Sequence, residues 1–232
     1  MRILSLSAVA TELVCALGGV HLLVGRTDSC KYPESVLSIP SIGATLDITQ
    51  EQISIFEPDL VLLGENQNII VSQQTFRIAP QTIDDIYGTI IALGALLDKS
   101  IEADLIVHEL RKIFDELHLK MEHFRAIKVY SDCDMPLYMR ELIAISGGEL
   151  YSSEHSIEAV TAYDPQMIIT YGDSSDEKVH DLIVSRSGWQ NLQAIKHERV
   201  FVLDEGLFRP TPRLIEGAKI LAKILHGVTL NY

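Results

Sequence analysis

Along the 232 residues, short apolar runs alternate with stretches in which apolar residues recur every three or four positions. Runs of about four to six residues have strand length, and the three-and-four recurrence marks a helix with one buried face. Strands are predicted at 2–6, 22–25, 60–63 and 76–78, and again at 128–131, 167–171 and 200–203. Strands that are apolar throughout and separated by helical segments predict parallel sheets covered on both faces, an α/β fold.

Three segments of the first half return in the same order in the second. ELVCALGG from Glu12 resembles ELIAISGG from Glu141, each an apolar helix closed by Gly-Gly, where a glycine can take the left-handed conformation past a helix end. FEPDLVLLGE from Phe56 resembles YDPQMIITYGD from Tyr163: an acid and a proline, which ends a helix, then an apolar strand and glycine. IYGTII from Ile86 resembles IEGAKI from Ile215. The economical reading is two similar α/β lobes, at 1–97 and 126–232, joined through 98–125. That junction holds KSIEADLIVHELRKIFDELHLKMEHF, in which Leu105, Ile106, Leu110, Ile113, Phe114 and Leu117 share a helix face without an intervening Gly or Pro. A helix over all of Lys99 to Phe124 would be about 39 Å long.

Composition excludes several classes. With 47% hydrophobic and 22% charged residues the chain can bury a large core. Nineteen Lys and Arg against 32 Asp and Glu give a formal charge of −13 with no basic stripe, which argues against nucleic acid. The three cysteines, Cys15, Cys30 and Cys133, have neither disulfide-framework nor zinc spacing. No apolar stretch reaches the roughly 20 residues of a membrane span. Residues 2–7 read as a strand and leave no room for a secretory leader, so a cytoplasmic chain is expected as the sequence stands, and a periplasmic or cell-surface one if a leader has been removed. Phosphate-loop glycine patterns are absent, and SLSAVA lacks the glycines of a nucleophile elbow, so Ser7 is read as the cap of the first helix. No catalytic residues and no dedicated metal site are expected, and the chain is read as non-enzymatic. Among the histidines only His21 and His155 are expected near a binding face. Trp189 is read as packing within the second lobe.

RILSLSAVATELVCALG, LVGRTDSCKYPES, IPSIG, EPDLVLL and GWQNLQAIKHERVFVLDEGLFRPTPRLIEGAKILAKILH, in this order, resemble the helical-backbone substrate-binding proteins of ABC importers, in the branch that binds cobalamin and iron chelates. The resemblance implies two Rossmann-like lobes with parallel sheets, one long backbone helix, a shallow ligand cleft between the lobes and little hinge motion. It implies a monomer that requires no cofactor and hands a small molecule to an ABC permease. The ligand implied is a corrinoid, with an iron siderophore or haem as the alternative. A cytoplasmic relative acting as carrier or interaction module remains a second reading.

In open α/β sheets ligands sit at the carboxyl ends of the strands. Those ends carry Ser5 and Ser7, Asp28 to Tyr32, Gly64 to Asn66, Asp132 to Tyr138, Gly172 and Asp173, and Asp204 to Arg209. DSCKYP is similar to the family's Cys-Asp-Tyr-Pro loop, so Tyr32 is the first ligand residue carried over. Ser7, Cys30, Gly64, Glu65, Asp134, Tyr138, Tyr171, Phe208 and Arg209 complete the candidate set, with Tyr32, Tyr138 and Phe208 supplying aromatic faces to a flat macrocycle. Either Cys30 or Cys133 is a candidate axial ligand to a bound metal complex. Glu65 and Glu205, at equivalent strand ends, are the candidate permease-docking carboxylates. Short stretches after CDMPLY and LLGENQN predict a more open cleft than the family's.

Overall fold

In the computed structural model, which describes residues 1–44, 48–65, 67–151, 155–172 and 177–229, two four-stranded parallel sheets repeat one topology. The chain divides into one unit of Met1–Pro80 with Asp84–Glu109 and a second of Gln81–Ile83 with Leu110–Tyr232.

The first unit runs β1 (Ile3–Ser5), α1 (Ala8–Ala16), β2 (Leu23–Arg26), α2 (Gln50–Ile55), β3 (Leu60–Leu63) and β4 (Gln74–Arg77), followed by α3 (Ile83–Leu96). Its strand order is β2-β1-β3-β4. α4 (Ser100–Met121) follows, and the second unit adds β5 (Ile127–Ser131), α5 (Leu137–Ile145), β6 (Gly148–Tyr151), α6 (Ile157–Tyr163) and β7 (Met167–Gly172). α7 (Glu177–Val184), α8 (Gln193–Lys196), β8 (Val200–Asp204) and α9 (Leu214–His226) complete it, with order β6-β5-β7-β8. The first strand of each unit thus lies between its second and third, as in a doubly wound sheet.

Local chemistry explains why the halves match. Ser7 caps α1, its side chain accepting from the Ala10 N–H at 3.4 Å. At the other end the Gly18 N–H reaches the Cys15 carbonyl and the Gly19 N–H the Val14 carbonyl, a closure that needs the positive φ of 74° at Gly18. Gly147 repeats this at φ 84° behind α5. Before the central strands, Glu57 and Asp164 take φ 45° and 50° ahead of Pro58 and Pro165. The next residues, Asp59 and Gln166, then donate their N–H groups to Arg2 and Lys128, each at 2.9 Å.

Each sheet buries its own core. Leu4, Leu6, Ile53, Val61 and Leu63 pack together in the first unit, with Ile42, Ile48, Phe56, Ile69 and Val71 against them. In the second, Tyr130, Val160, Ile168, Ile183, Leu192 and Val200 surround Trp189, which is 1% exposed.

Four details differ from the sequence expectation. β4 lies at 74–77 rather than 76–78, because its pairing with β3 begins at Gln74. β6 pairs with β5 from Gly148, in a stretch too short and too polar to read as a strand. α4 covers 22 residues rather than 26, about 33 Å, because it begins at Ser100 and gives way to a turn after Met121. Among its described residues the crossover from β3 to β4 carries no helix; Ile69 and Val71 of that segment pack onto the core directly. Among the described residues no helix is long and apolar enough to cross a membrane.

Candidate functional site

The carboxyl ends of the strands are where loops are longest and polar side chains gather, so the site is built from them. In the first unit, the Ser5 hydroxyl leaves β1, donates to the Ser7 carbonyl at 3.1 Å and accepts from Thr11 Oγ1 of α1 at 2.8 Å. Beside it, Cys30 is fully buried, with its thiol 3.2 Å from Thr27 Oγ1 and 4.0 Å from the Ser5 carbonyl. The loop that follows exposes Tyr32 to 46% and joins it to Pro33 through a cis peptide bond. Arg26, the last residue of β2, is 9% exposed and donates to the carbonyls of Val36, Thr27 and Leu37.

Past β3, Gln67 ties two strand ends together. Its side-chain amide donates to the Leu6 carbonyl at 2.6 Å and accepts from the Gly64 N–H at 2.8 Å. Arg77, the last residue of β4, donates to the carbonyls of Gly64, Glu65 and Gln67 at 2.8, 3.0 and 2.6 Å. Backbone groups outside a sheet or helix need such partners, and the two arginines supply them.

The second unit's edge is aromatic and charged. Ser131 ends β5 and donates to the Cys133 carbonyl at 2.6 Å, which turns the chain back over the strand. Asp132 receives two N–H groups of Arg186, at 2.5 and 3.2 Å, and the guanidinium lies 4.3 Å from the Trp189 ring centre. Tyr130 packs edge-on against both Trp189 and His155, and its hydroxyl is 3.0 Å from His155 Nδ1. Burial first, then the nearby Asp132 carboxylate, pushes the Tyr130 phenol up to about 12, so it stays protonated. His155 Nε2 lies 3.7 Å from Asp134, whose side chain is 97% exposed. Tyr171 is half-buried; burial, with Tyr138 beside it, holds its phenol well above its ordinary value.

Of the sequence candidates, Ser7 is half-buried as a helix cap, and Gly64 and Glu65 border the Arg77 fork. Tyr138 is buried and donates its hydroxyl to the Phe208 carbonyl at 3.2 Å, while Phe208 is 2% exposed and 6.2 Å from the Tyr171 ring. These two rings, with the Cys30 thiol, are packed inside their units. Arg209 lies 4.0 Å from Glu205, an exposed side chain. Asn66 and Asp173 lie outside the described residues. Glu65 and Glu205 are not at equivalent ends: Glu65 follows β3, the third strand of its unit, and Glu205 follows β8, the fourth. Arg26, Gln67, Arg77 and Arg186 were not anticipated, because they act on backbone carbonyls and on partners distant in sequence. Among the described residues no group of three or more His, Cys, Asp or Glu could hold a metal ion.

Two doubly wound units, with one helix running from the first into the second, are the frame against which known proteins can be compared. The relatives that align with nearly the whole of this chain include ABC-transporter substrate-binding proteins, a non-enzymatic class, and solved solute-binding proteins share its fold. No protein-family model matches the chain. An uncharacterized ABC transporter substrate-binding lipoprotein, YvrC of Bacillus subtilis, is 25% identical over 99% of this chain and 81% of its own length. A vitamin B12-binding protein of Vibrio cholerae is 25% identical over 94% of this chain and 86% of its own. Among solved structures, a possible iron-binding periplasmic solute-binding protein of Staphylococcus epidermidis superposes with a TM-score of 0.81 at 22% identity, over 96% of this chain and 97% of the other. A periplasmic heme-binding protein of Pseudomonas aeruginosa does so at 0.80 and 18%, over 99% and 94%. These relatives are lipoprotein or periplasmic, which does not support the expectation of a cytoplasmic chain.

Proposed function

We propose that the chain is the receptor of an ABC importer, working outside the cytoplasmic membrane, and that its ligand is a corrinoid taken up at the carboxyl ends of the strands. The observation that carries the ligand is the Tyr32 loop. It holds an aromatic ring 46% exposed beside the end of β2, in a chain 25% identical along nearly all its length to a vitamin B12-binding protein. A corrin ring is broad and flat, and an exposed tyrosine face offers it apolar contact with few directional bonds. Tyr171, half-buried near the end of β7, is the aromatic proposed from the second unit, at a different strand position. Glu65 and Glu205 are the carboxylates proposed to meet the permease.

Titration calorimetry of the purified protein with cyanocobalamin, with haemin and a ferric hydroxamate alongside, tests the ligand. Submicromolar binding of cyanocobalamin is expected, and the variant Tyr32→Ala should bind it about tenfold or more weakly, the usual cost of losing an aromatic anchor. Unchanged affinity in the variant would remove Tyr32 from the site.

One observation favours haem as a second reading. The His155 side chain is 47% exposed and its Nδ1 is held by the Tyr130 hydroxyl. With Nδ1–H donating to that oxygen, Nε2 carries the lone pair that an iron needs. Haemin binding with a six-coordinate visible spectrum that is lost in His155→Ala, and silence towards cyanocobalamin, would move the assignment to haem.

A further inference from the structure

We infer that Arg26 and Arg77 are positioning residues, one at each margin of the first unit's sheet, that fix the two ligand-facing loops before a ligand arrives. The inference rests on the function proposed above and concerns how this same site is made.

The strand order β2-β1-β3-β4 leaves β2 and β4 at the two edges, and each of these strands ends in an arginine. Both guanidinium groups, the buried one of Arg26 and the exposed one of Arg77, fork onto backbone carbonyls of the loop next to them. Arg26 reaches Val36 at 2.8 Å, Thr27 at 3.1 Å and Leu37 at 3.4 Å, spanning the loop that bears Tyr32 from its first residue to its last turn. Arg77 reaches Gly64, Glu65 and Gln67, and Gln67 in turn bridges the ends of β1 and β3. Six loop carbonyls are thereby held by two side chains.

The chemistry needs arginine. A guanidinium is planar, presents five N–H groups in a fixed fork and stays charged, so one side chain can hold three oxygens at set angles. A lysine ammonium supplies charge and three donors from one point and cannot span carbonyls two or three residues apart. A loop held in its bound shape loses little conformational freedom on binding, and the saved entropy appears as affinity, chiefly as slower dissociation. Arg77 is exposed and lies on a four-residue edge strand, so its bonds add to loop order far more than to core stability.

The test uses the full chain, with cyanocobalamin and haemin as probes, and compares Arg77→Ala and Arg77→Lys with the unaltered protein. The expected result for Arg77→Ala is an unchanged thermal midpoint with probe dissociation faster by about tenfold. Arg77→Lys should stay fast, because it keeps the charge and loses the fork. Wild-type dissociation in Arg77→Ala, or full recovery in Arg77→Lys, overturns the inference. Arg26→Gln is expected to behave like Arg77→Ala, and since Arg26 is buried, loss of folding there leaves Arg77 as the deciding site. If the unaltered protein binds neither probe, it is the functional reading that fails. Hydrogen exchange at the Gly64 amide, expected to quicken in Arg77→Ala, then still decides whether the fork holds the loop, and unchanged exchange overturns it.

Discussion

Asp164 illustrates how much one side chain can carry in this fold. It sits in the left-handed conformation behind α6 and receives two N–H groups of Gln193, from the backbone at 3.0 Å and from the side chain at 2.8 Å, which fastens the start of α8. Those bonds, the side-chain amide foremost, favour the charged carboxylate and hold its pKa below the ordinary aspartate value. A folded-state value lower than the unfolded one stabilises the fold above the unfolded value, and the gain disappears as pH falls through the folded value. Asp164→Asn should therefore be less stable than the parent at neutral pH, with the gap narrowing as pH falls below the ordinary aspartate value of about 4 and on through the lower folded value. Urea unfolding at a series of pH values measures it, and a gap that does not vary with pH would show that the charge is not the cause. The same residue shows the limit of reading chemistry from sequence. Asp-Pro before an apolar run marks a strand start, but nothing in it names Gln193 as partner, just as nothing in Arg26 or Arg77 names the carbonyls they hold. A side chain that bonds to backbone leaves no complementary residue type to look for.

Among the elements, α9 shows packing overriding propensity. Gly217 lies within this helix, and a Cβ there would meet the Leu207 carbonyl at 2.8 Å and the Phe208 ring at 2.8 Å. Alanine is the better helix former by about 1 kcal/mol, yet Gly217→Ala should destabilise the protein by about 1–3 kcal/mol, because neither the backbone oxygen nor the buried ring can retreat. Chemical denaturation would show it, and a stabilised variant would contradict the contact. Gly88, its counterpart in the IYGTII match, has nothing within 4 Å, so Gly88→Ala lacks this penalty. The recurrence in sequence is real, but the reason for the glycine is not shared. Elements with continuous apolar runs, such as β3 and β7, were legible because burial on both faces demands them. β4 and β6 are edge strands with exposed positions, Gln-Thr-Phe-Arg and Gly-Glu-Leu-Tyr, and pairing with a neighbour rather than composition makes them strands.

At the scale of the whole chain, α4 belongs to both units. The division falls between Glu109 and Leu110, so the buried Ala103 and Val107 serve the first unit while Leu110, Ile113, Phe114 and Leu117 serve the second. The long amphipathic repeat made this helix visible in the sequence, although its point of transfer was not, since nothing changes in the pattern where one core gives way to another. A helix is cooperative along its length, because each added residue extends an existing ladder while a new start costs a nucleus. Melting of either unit should therefore fray the segment on which the other depends, and calorimetry should find a single transition for the intact chain. Glu109→Pro removes a ladder bond and sets a ring against the preceding turn at an exposed position, at a cost of about 3 kcal/mol. The expected trace for that variant is two resolved transitions, each smaller in enthalpy than the parent's one. A variant that still melts in one step would mean that the units are coupled by something other than the continuity of this helix.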